Sequence, residues 1–225
     1  MPVSQMKNSV ALAVLALGVG CGGVAYAENW EGFYGGLFAG RAMGDATFTP
    51  VGSPNAYGTD STDATVGGAF VGYNFQRGNL VFGPELLVSG AGGDNSVFTH
   101  GCNCSSVAFS LNSTIELGGR VGWTRDKSLF YASAGVADVS YDMRFTANGA
   151  PTPLNFDLSD TVPYLGLGFE QALKNGWSIR GEYRHYFDLK TSTPNTPFPG
   201  SLVTLSAGTQ DYDLGIATIA VVKRF

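Results

Sequence analysis

The sequence predicts an all-β fold, an eight-stranded antiparallel up-and-down transmembrane β-barrel with short periplasmic turns and four long extracellular loops. The first observation is that apolar and polar side chains alternate in eight stretches between residues 32 and 225, which is the period of a β-strand. The second is that the breaks between these stretches are short and long in strict order, as they are in bacterial outer-membrane barrels. With both ends of the chain on the short-turn side, three turns and four loops require eight strands.

The breaks between the strands differ in length and composition. The tight ones are residues 76–79, 125–128 and 174–176. The long ones are polar, rich in Gly, Pro, Ser and Thr, and comprise residues 41–63, 90–105, 146–160 and 191–210. We therefore expect the long breaks to be the extracellular loops.

The N-terminus has the pattern of a secretory signal peptide. Lys7 is followed by an apolar run over residues 10–19 and then by Ala25-Tyr26-Ala27, an A-x-A cleavage site. This pattern predicts that residues 1–27 are removed and that residues 28–225 form a single outer-membrane barrel domain. A lipoprotein signal at Cys21 is disfavoured, because Gly18 stands where a Leu-like residue is expected.

Composition excludes several classes of protein. The net charge is −5 and only 14% of the residues are charged, with no basic patch for a nucleic acid. Beyond the signal sequence there is no run of about 18 apolar residues that could cross a bilayer as a helix. The 32 glycines and 12% aromatic residues fit a protein of strands and turns. A membrane role would therefore depend on strands.

Parity assigns the two faces of most strands, because successive side chains of a strand point to opposite faces. From the second strand to the eighth, the apolar parity holds Ala69, Val71, Tyr73 and Phe75; Phe82, Leu86 and Val88; Ile115, Leu117, Val121 and Trp123; Leu129, Tyr131, Ala137 and Val139; Leu165, Leu167 and Phe169; Trp177, Ile179, Tyr183 and Phe187; and Ala217, Ile219, Val221 and Phe225. The charged residues of these strands lie on the opposite parity, among them Glu85, Glu116, Arg120, Asp138, Asp142, Glu170, Arg180, Glu182, Arg184, Asp188 and Arg224. The first strand has aromatic residues on both parities, so its faces are not assigned.

Aromatic residues indicate which face meets lipid. The alternation alone would also fit a soluble, lipocalin-like barrel with its apolar face inward. However, the apolar parity has one aromatic residue beside each short turn or terminus: Phe33, Phe75, Phe82, Trp123, Tyr131, Phe169, Trp177 and Phe225. Aromatic rings at one level on every strand are typical of the girdle at a membrane interface. We therefore expect the apolar parity to face outward.

Several motifs resemble those of the small outer-membrane β-barrel proteins of Gram-negative bacteria, which include the opacity-like proteins, OmpX and the barrel domain of OmpA. The motifs are Trp30-Glu31-Gly32-Phe33-Tyr34-Gly35-Gly36, Gly72-Tyr73-Asn74-Phe75, Leu117-Gly118-Gly119-Arg120-Val121-Gly122-Trp123, Gly166-Leu167-Gly168-Phe169-Glu170, Gly181-Glu182-Tyr183-Arg184 and Val222-Lys223-Arg224-Phe225. These motifs are most similar to those of the surface proteins of brucellae and rhizobia.

The resemblance implies a location in the cell outer membrane, with outer-membrane lipid and lipopolysaccharide as surroundings. It also implies that Phe225 is a signal read by the barrel-assembly machinery. Lys223 departs from the pattern, since an aromatic residue is usual two positions before the end, and this departure weakens the signal.

The inward parity predicts a charged interior. An eight-stranded barrel is filled by side chains, whereas aqueous channels need about sixteen strands. The side chains expected to form a buried ion network are Glu85, Arg120, Glu170 and Arg180 near the short turns, with Glu182 and Arg184 one layer higher. We interpret this network as a structural plug; the alternative is that the carboxylates are a catalytic acid and base.

Two further clusters suggest chemistry. His185 shares the outward parity of the catalytic His of known lipid A deacylases, but Phe187 stands where the nucleophilic Ser would be, so no catalytic residue and no enzyme activity are predicted. In the second long loop, His100, Cys102 and Cys104 lie within five positions. A disulfide between Cys102 and Cys104 is favoured over a metal site or free thiols, and a haem ligand role for His100 is a further alternative, so no cofactor is predicted.

Function is expected to reside in the loops, because binding residues concentrate on loops held by a rigid scaffold. The loop residues suited to contact are Tyr57, Phe98, Pro151, Pro194, Pro197 and Phe198. The sequence thus predicts a structural, envelope-integrity protein with an adhesion-like surface role and an unknown extracellular partner. The alternative is a narrow porin-like protein or one that binds haem or another small ligand.

Overall fold

The computed structural model describes residues 28–51, 57–58, 62–92, 96–99, 105–147, 150–193, 196–197, 204–205 and 208–225. Within these ranges lie eight long strands, β1 Gly32–Pro50, β2 Thr62–Arg77, β3 Leu80–Gly92, β4 Ser105–Arg125, β5 Ser128–Ala147, β6 Ala150–Ala172, β7 Trp177–Thr193 and β8 Gly208–Arg224. Each is antiparallel to the next, and β8 pairs with β1 from Tyr34↔Arg224 to Pro50↔Gly208. The predicted eight-stranded barrel is confirmed.

Shorter strands border the barrel at its extracellular end. Tyr57–Gly58 pairs with β1, Ser96–Thr99 pairs with β4, and Thr196–Pro197 pairs with Thr204–Leu205. In the described ranges no helix is long and apolar enough to cross a membrane. The predicted signal peptide, Cys21, His100, Cys102 and Cys104 lie outside the described residues.

The three predicted tight turns have the backbone geometry that short hairpins require. Gly78, Asp126, Asn175 and Gly176 all have positive φ, between 55° and 72°. Two consecutive residues in this region, as at Asn175-Gly176, are the preferred chemistry of a two-residue hairpin turn whose twist matches the flanking strands. The turn sequences therefore fix the periplasmic side of the barrel.

The predicted long loops are shorter than expected, because the strands continue beyond the membrane. Only residues 148–149 separate β5 from β6, where a loop over residues 146–160 was predicted. The pairing Ser140↔Ser159 continues regularly to Arg144↔Asn155. Above the bilayer both faces of a sheet can meet water, so these segments need no apolar face and their polar composition resembles a loop.

Side-chain burial shows which face meets lipid. The apolar parities of β2, β3, β4, β6, β7 and β8 face outward as predicted, and their interior parities are buried. In β1, Phe33 and Leu37 face outward while Tyr34 and Phe38 face inward. Because the apolar face is on the outside and the charges are inside, the soluble lipocalin-like alternative is wrong.

The prediction for the fifth strand was wrong. Leu129, Tyr131, Ala137 and Val139 are buried in the lumen, and the opposite parity faces outward, including Phe130, Val136 and Asp138. This strand has apolar residues on both parities. Asp138 lies beyond the last outward apolar residue, Val136, so a charge there does not mark the interior.

The aromatic girdle has one member different from the prediction. Phe33, Phe75, Trp123, Phe169, Trp177 and Phe225 are exposed on the outer wall and Phe82 is partly exposed, but Tyr131 points inward. Phe130 takes its place, with its ring centroid 4.9 Å from that of Phe169. All eight strands therefore still present an aromatic ring at the periplasmic end of the apolar band.

A β-bulge on β7 corrects the predicted inward position of Asp188. The register shifts between Tyr212 and Leu214 of β8, and Asp188 has a φ of 56°. The extra residue turns Asp188 outward and Leu189 inward.

Close to this bulge, the barrel wall separates. Strands β6 and β7 pair only from Tyr164↔Tyr186 to Ala172↔Ser178, whereas β6 continues to Ala150 beside β5. Within the described part of the chain, no strand pairs with the other edge of β6 over residues 150–163. We call this segment the free edge of β6.

Candidate functional site: the charged lumen

The periplasmic mouth of the lumen is closed by the segment before β1. Trp30 is fully buried, and its backbone N–H donates to Gln76 Oε1 at 2.7 Å. Asn74 Nδ2 donates to the Trp30 carbonyl at 3.0 Å, and the guanidinium of Arg224 lies 4.4 Å from the Trp30 ring. Arg224 Nη2 also forms an ion pair with Glu28 Oε1 at 2.7 Å. The Trp30 indole ring therefore closes the periplasmic end of the lumen.

Glu170 lies at the base of an ion network above this stopper. Its Oε2 accepts from Arg120 Nη1 at 3.0 Å and from Arg180 Nε at 3.1 Å. Its Oε1 accepts from the Ser178 hydroxyl. Arg120 Nε donates to Asn74 Oδ1 at 3.1 Å. Both carboxylate oxygens are thus bound without water, as a buried carboxylate requires.

Glu85 connects this base to the next layer. Its Oε2 accepts from Arg180 Nη1 at 2.6 Å and its Oε1 accepts from Arg184 Nη2 at 3.0 Å. Arg184 Nη2 also lies 2.8 Å from Glu182 Oε2. The structure therefore brings all six predicted network residues into one buried cluster.

Hydroxyl groups complete the network around Glu182. Tyr131 donates to Glu182 Oε2 at 2.8 Å, and Ser133 donates to Glu182 Oε1 at 2.7 Å. Tyr34 donates to Glu85 Oε2 at 2.9 Å. Tyr34 and Tyr131 were not predicted as network residues, because the first strand has aromatic residues on both parities and the fifth was assigned to the wrong face.

Aromatic rings flank the buried arginines. The guanidinium carbon of Arg120 lies 4.1 Å from the ring centroid of Tyr34, and that of Arg180 lies 4.2 Å from the centroid of Phe70. A guanidinium stacks well on an aromatic face, and such contacts are strengthened when they are desolvated. The rings therefore stabilise the arginines on the faces that the carboxylates do not reach.

Glycines on the inner wall make room for these tyrosines. A Cβ at Gly72 would lie 2.3 Å from the Tyr34 ring, and a Cβ at Gly168 would lie 2.2 Å from the Tyr131 ring. No side chain fits at either position while the phenol lies flat against the wall. The two glycines therefore explain how the rings reach the network in a narrow barrel.

The extracellular half of the lumen is apolar. Its buried cluster comprises Ala42, Ala64, Val66, Ala137, Val139, Tyr141, Val162, Tyr164, Tyr186, Leu189, Leu214 and Ile216. The Tyr164 and Tyr186 rings pack with their centroids 5.9 Å apart. The Tyr186 hydroxyl donates to Glu116 Oε1 at 2.6 Å, which connects this cluster to the ion network. The described lumen is therefore filled at three levels: an indole stopper, a charged middle and an apolar top.

The other candidate chemistry is sparse in the described residues. His185 lies on the outer wall with Nδ1 3.5 Å from Asp213 Oδ1 and its ring packed edge-on against Phe187 at 4.5 Å. Phe187, which has no nucleophilic group, occupies the position two residues after His185. Among the side chains described, no three His, Cys, Asp or Glu residues are grouped to hold a metal ion.

These features define a class of protein. A closed antiparallel barrel with an apolar outer wall, an aromatic girdle and a charged, filled lumen is an integral outer-membrane β-barrel. The family model described as "Outer membrane protein beta-barrel domain" matches residues 12–225, so the chain belongs to that family. The protein is therefore located in the outer membrane of a Gram-negative bacterium.

Similar proteins agree with this assignment. The chain is 30% identical over 164 residues to the 22 kDa outer membrane protein of Rhizobium leguminosarum bv. viciae, covering 71% of this chain and 64% of that protein, which is less than two thirds of its length. It is 28% identical over 193 residues to the 25 kDa outer-membrane immunogenic protein of Brucella canis, covering 86% of this chain and 80% of that protein. The crystal structure of OprG from Pseudomonas aeruginosa has the same fold, with a TM-score of 0.56 at 15% identity over 87% of this chain and 97% of that one.

Proposed function

We propose that this protein is a non-catalytic structural protein of the outer membrane whose extended strands form a surface for interaction with a partner outside the cell. The observation that carries the proposal is the contrast between the part of the barrel inside the membrane and the part that extends beyond it. The membrane-spanning part is filled by ion pairs and apolar side chains, whereas the strands continue well beyond the membrane. A barrel built in this way anchors a surface structure and supports the envelope.

The height of the surface structure follows from the outward side chains. On β5 and β6 the outward apolar residues end at Val136 and Pro163, and Asp138, Ser140, Ser159 and Asp157 follow on the same face. From Val136 to Ala147 the strand rises roughly 28 Å, given about 3.3 Å per residue and a tilt of about 40°. The β5–β6 hairpin therefore projects past the lipid headgroups.

The free edge of β6 supports a role in recognition. An unpaired edge offers backbone N–H and C=O groups to an added strand, which is a recurring way to bind an extended peptide. Pro151, Pro153 and Pro163 lack an N–H and limit uncontrolled pairing along this edge. Across β4, β5 and β6, on the paired side of this edge, lies an open cleft of about 450 Å³ whose lining residues are Asn112, Ser140, Tyr141, Asp142, Asp157 and Ser159. The proposed partner is thus a protein with an extended, polar segment.

Shortening the β5–β6 hairpin tests this proposal. Asp142 and Asp157 are opposite each other in the register, so replacing residues 143–156 with Asn-Gly should close the hairpin with a two-residue turn. We expect the variant to fold and to shift in mobility on heating in a detergent gel. In a strain that lacks the native gene, it should restore resistance to detergent but reduce attachment of the bacteria to a cultured cell layer several-fold. Attachment equal to that of the wild type would contradict the surface role of the hairpin.

Electrical recording separates this function from the porin-like alternative. The purified barrel in a planar lipid bilayer should show no steady conductance of porin size, because the described lumen is filled from Trp30 to Tyr186. Detergent buffer without protein is the blank, and a sixteen-stranded porin is the positive control. Steady porin-size conductance would refute the closed lumen and favour the alternative function.

Phe225 is proposed to be the residue that the barrel-assembly machinery reads. Its side chain is 83% exposed, and its backbone N–H donates to the Phe33 carbonyl at 2.9 Å, where β8 closes against β1. We expect Phe225→Ala to reduce the amount of folded barrel in outer membranes several-fold. Phe33→Ala is the matched control, since Phe33 is 67% exposed in the same girdle. An equal loss in both variants would show that Phe225 acts only as a girdle residue.

A further inference from the structure

The buried charges of the lumen do not balance. The inward-facing charged side chains in the network, among those that the structure describes, are the carboxylates of Glu85, Glu116, Glu170 and Glu182 and the guanidiniums of Arg120, Arg180 and Arg184. Glu28 and Arg224 pair separately at the periplasmic mouth. The network therefore has four acidic groups and three basic ones.

The contacts show which carboxylate is left undercompensated. Glu85 and Glu170 each contact two arginines at 3.1 Å or less. Glu182 accepts from Arg184 at 2.8 and 3.0 Å and from two hydroxyl groups. Among the described side chains Glu116 forms one ion pair, with Arg184 Nη1 3.4 Å from its Oε2, and this oxygen has no hydrogen-bond partner. The missing positive charge therefore belongs at Glu116.

Glu116 is surrounded by polar and aromatic side chains of β4, β6 and β7. From its own strand, Thr114 donates to Glu116 Oε1 at 3.3 Å, and Thr114 in turn bonds to Ser89 of β3 at 2.7 Å. From β7, Arg184 and Glu182 lie below it and Tyr186 donates to the same Oε1. From β6, Tyr164 packs on Tyr186 above it. The Glu116 side chain is 2% exposed and lies at the junction of the ion network and the apolar cluster.

We propose that Glu116 holds one exchangeable proton at its Oε2. An ionised carboxylate in an apolar site without a full counter-charge is strongly disfavoured, and binding a cation removes that charge. The proton would neutralise the fourth carboxylate and leave three arginines matched by three acids. The apolar cluster above Glu116 then closes over a neutral group, and the stability of the barrel becomes dependent on pH.

Infrared spectroscopy and unfolding together test the proposal. Folded wild-type barrel in detergent is compared with Glu116→Gln, which keeps an oxygen acceptor for Tyr186 and has no charge. Glu31→Gln is the matched control, because Glu31 is an exposed carboxylate at the periplasmic end. Urea unfolding is followed from mildly acidic to alkaline pH, and in sodium, potassium or choline chloride at equal ionic strength.

A bound proton predicts the carbonyl band of one protonated carboxylic acid in the wild type and its loss in Glu116→Gln. The wild-type unfolding constant should rise with pH, by up to about tenfold per pH unit, because the folded state holds a proton that the unfolded state releases. Glu116→Gln should lack this dependence, and Glu31→Gln should retain it. Tyr186→Phe removes the hydrogen bond to Oε1 and should shift the band to higher frequency, which assigns it to Glu116 even if the Gln variant fails to fold.

The salt series checks for a bound metal ion in place of the proton. The proposal is overturned if the wild-type barrel lacks the acid band, whether or not sodium or potassium raises its unfolding midpoint above that in choline. It is also overturned if Glu116→Gln lowers the unfolding midpoint as much as Glu170→Gln, since Glu116 would then be an ordinary ion-pair partner of Arg184.

Discussion

Arg180→Leu is expected to lower the free energy of unfolding by about 3 to 5 kcal/mol, the range for breaking a buried ion pair from one side. Arg180 bridges Glu85 and Glu170, and the substitution leaves both carboxylates with one arginine fewer in a lumen without bulk water. Urea unfolding of the barrel in lipid vesicles, followed by tryptophan fluorescence, measures the change. Arg125→Leu, at an exposed position of a periplasmic turn, is the control and should change stability little.

A second substitution distinguishes lost packing from unpaired charge. When Arg180→Leu is combined with Glu85→Gln, the side chain at position 85 no longer carries a charge that lacks an arginine. The double variant should therefore lose less free energy of unfolding than the sum of the losses in the two single variants. Additive losses would show that packing, and not charge, dominates at this position. If Arg180→Leu keeps full stability but abolishes an activity of the protein, the network is a functional site and the structural interpretation is wrong.

Leu167→Arg is expected to destabilise the barrel by about 2 to 4 kcal/mol, the cost of an arginine on the lipid face near the bilayer midplane. Leu167 is 70% exposed on the outer wall of β6, between the girdle residue Phe169 and the outer boundary at Pro163. Measurement of the urea midpoint in lipid vesicles gives the change. Ser159→Arg, on the same face of the same strand but above the apolar band, should have little effect. Equal effects of the two variants would mean that the assigned membrane boundary is misplaced.

The alternation of side chains within each strand was sufficient to predict the barrel and, for most strands, which side chains point into the lumen. The alternation in β7 places Ser178, Arg180, Glu182 and Arg184 on one face, and the structure has all four in the lumen. The reason is that β-strand periodicity is independent of the partner strand, so a strand with charges on one parity is readable by itself. The tight turns were equally readable, because Asn175-Gly176 carries its backbone preference in its own residues.

Pairing between strands decided two features that the alternation within a strand did not: the facing of β5 and the surroundings of Glu116. Strand β5 has apolar residues on both parities, and Tyr131 faces inward, where Glu182 of β7 accepts its hydroxyl and Gly168 of β6 leaves space for its ring. Likewise, the missing counter-charge at Glu116 appears only once the register places a single arginine within reach.

The sequence by itself determined the number of strands, the periplasmic turns and the six ion-network residues that enter the lumen, since these depend on period and on turn chemistry. Tertiary structure alone decided where β5 and β6 end, where the bulge at Asp188 reverses the facing of β7, and that the free edge of β6 begins above Tyr164. These features arise from the pairing of one strand with another. Above the membrane no apolar face is required, so the composition of the strands there contains no record of their pairing.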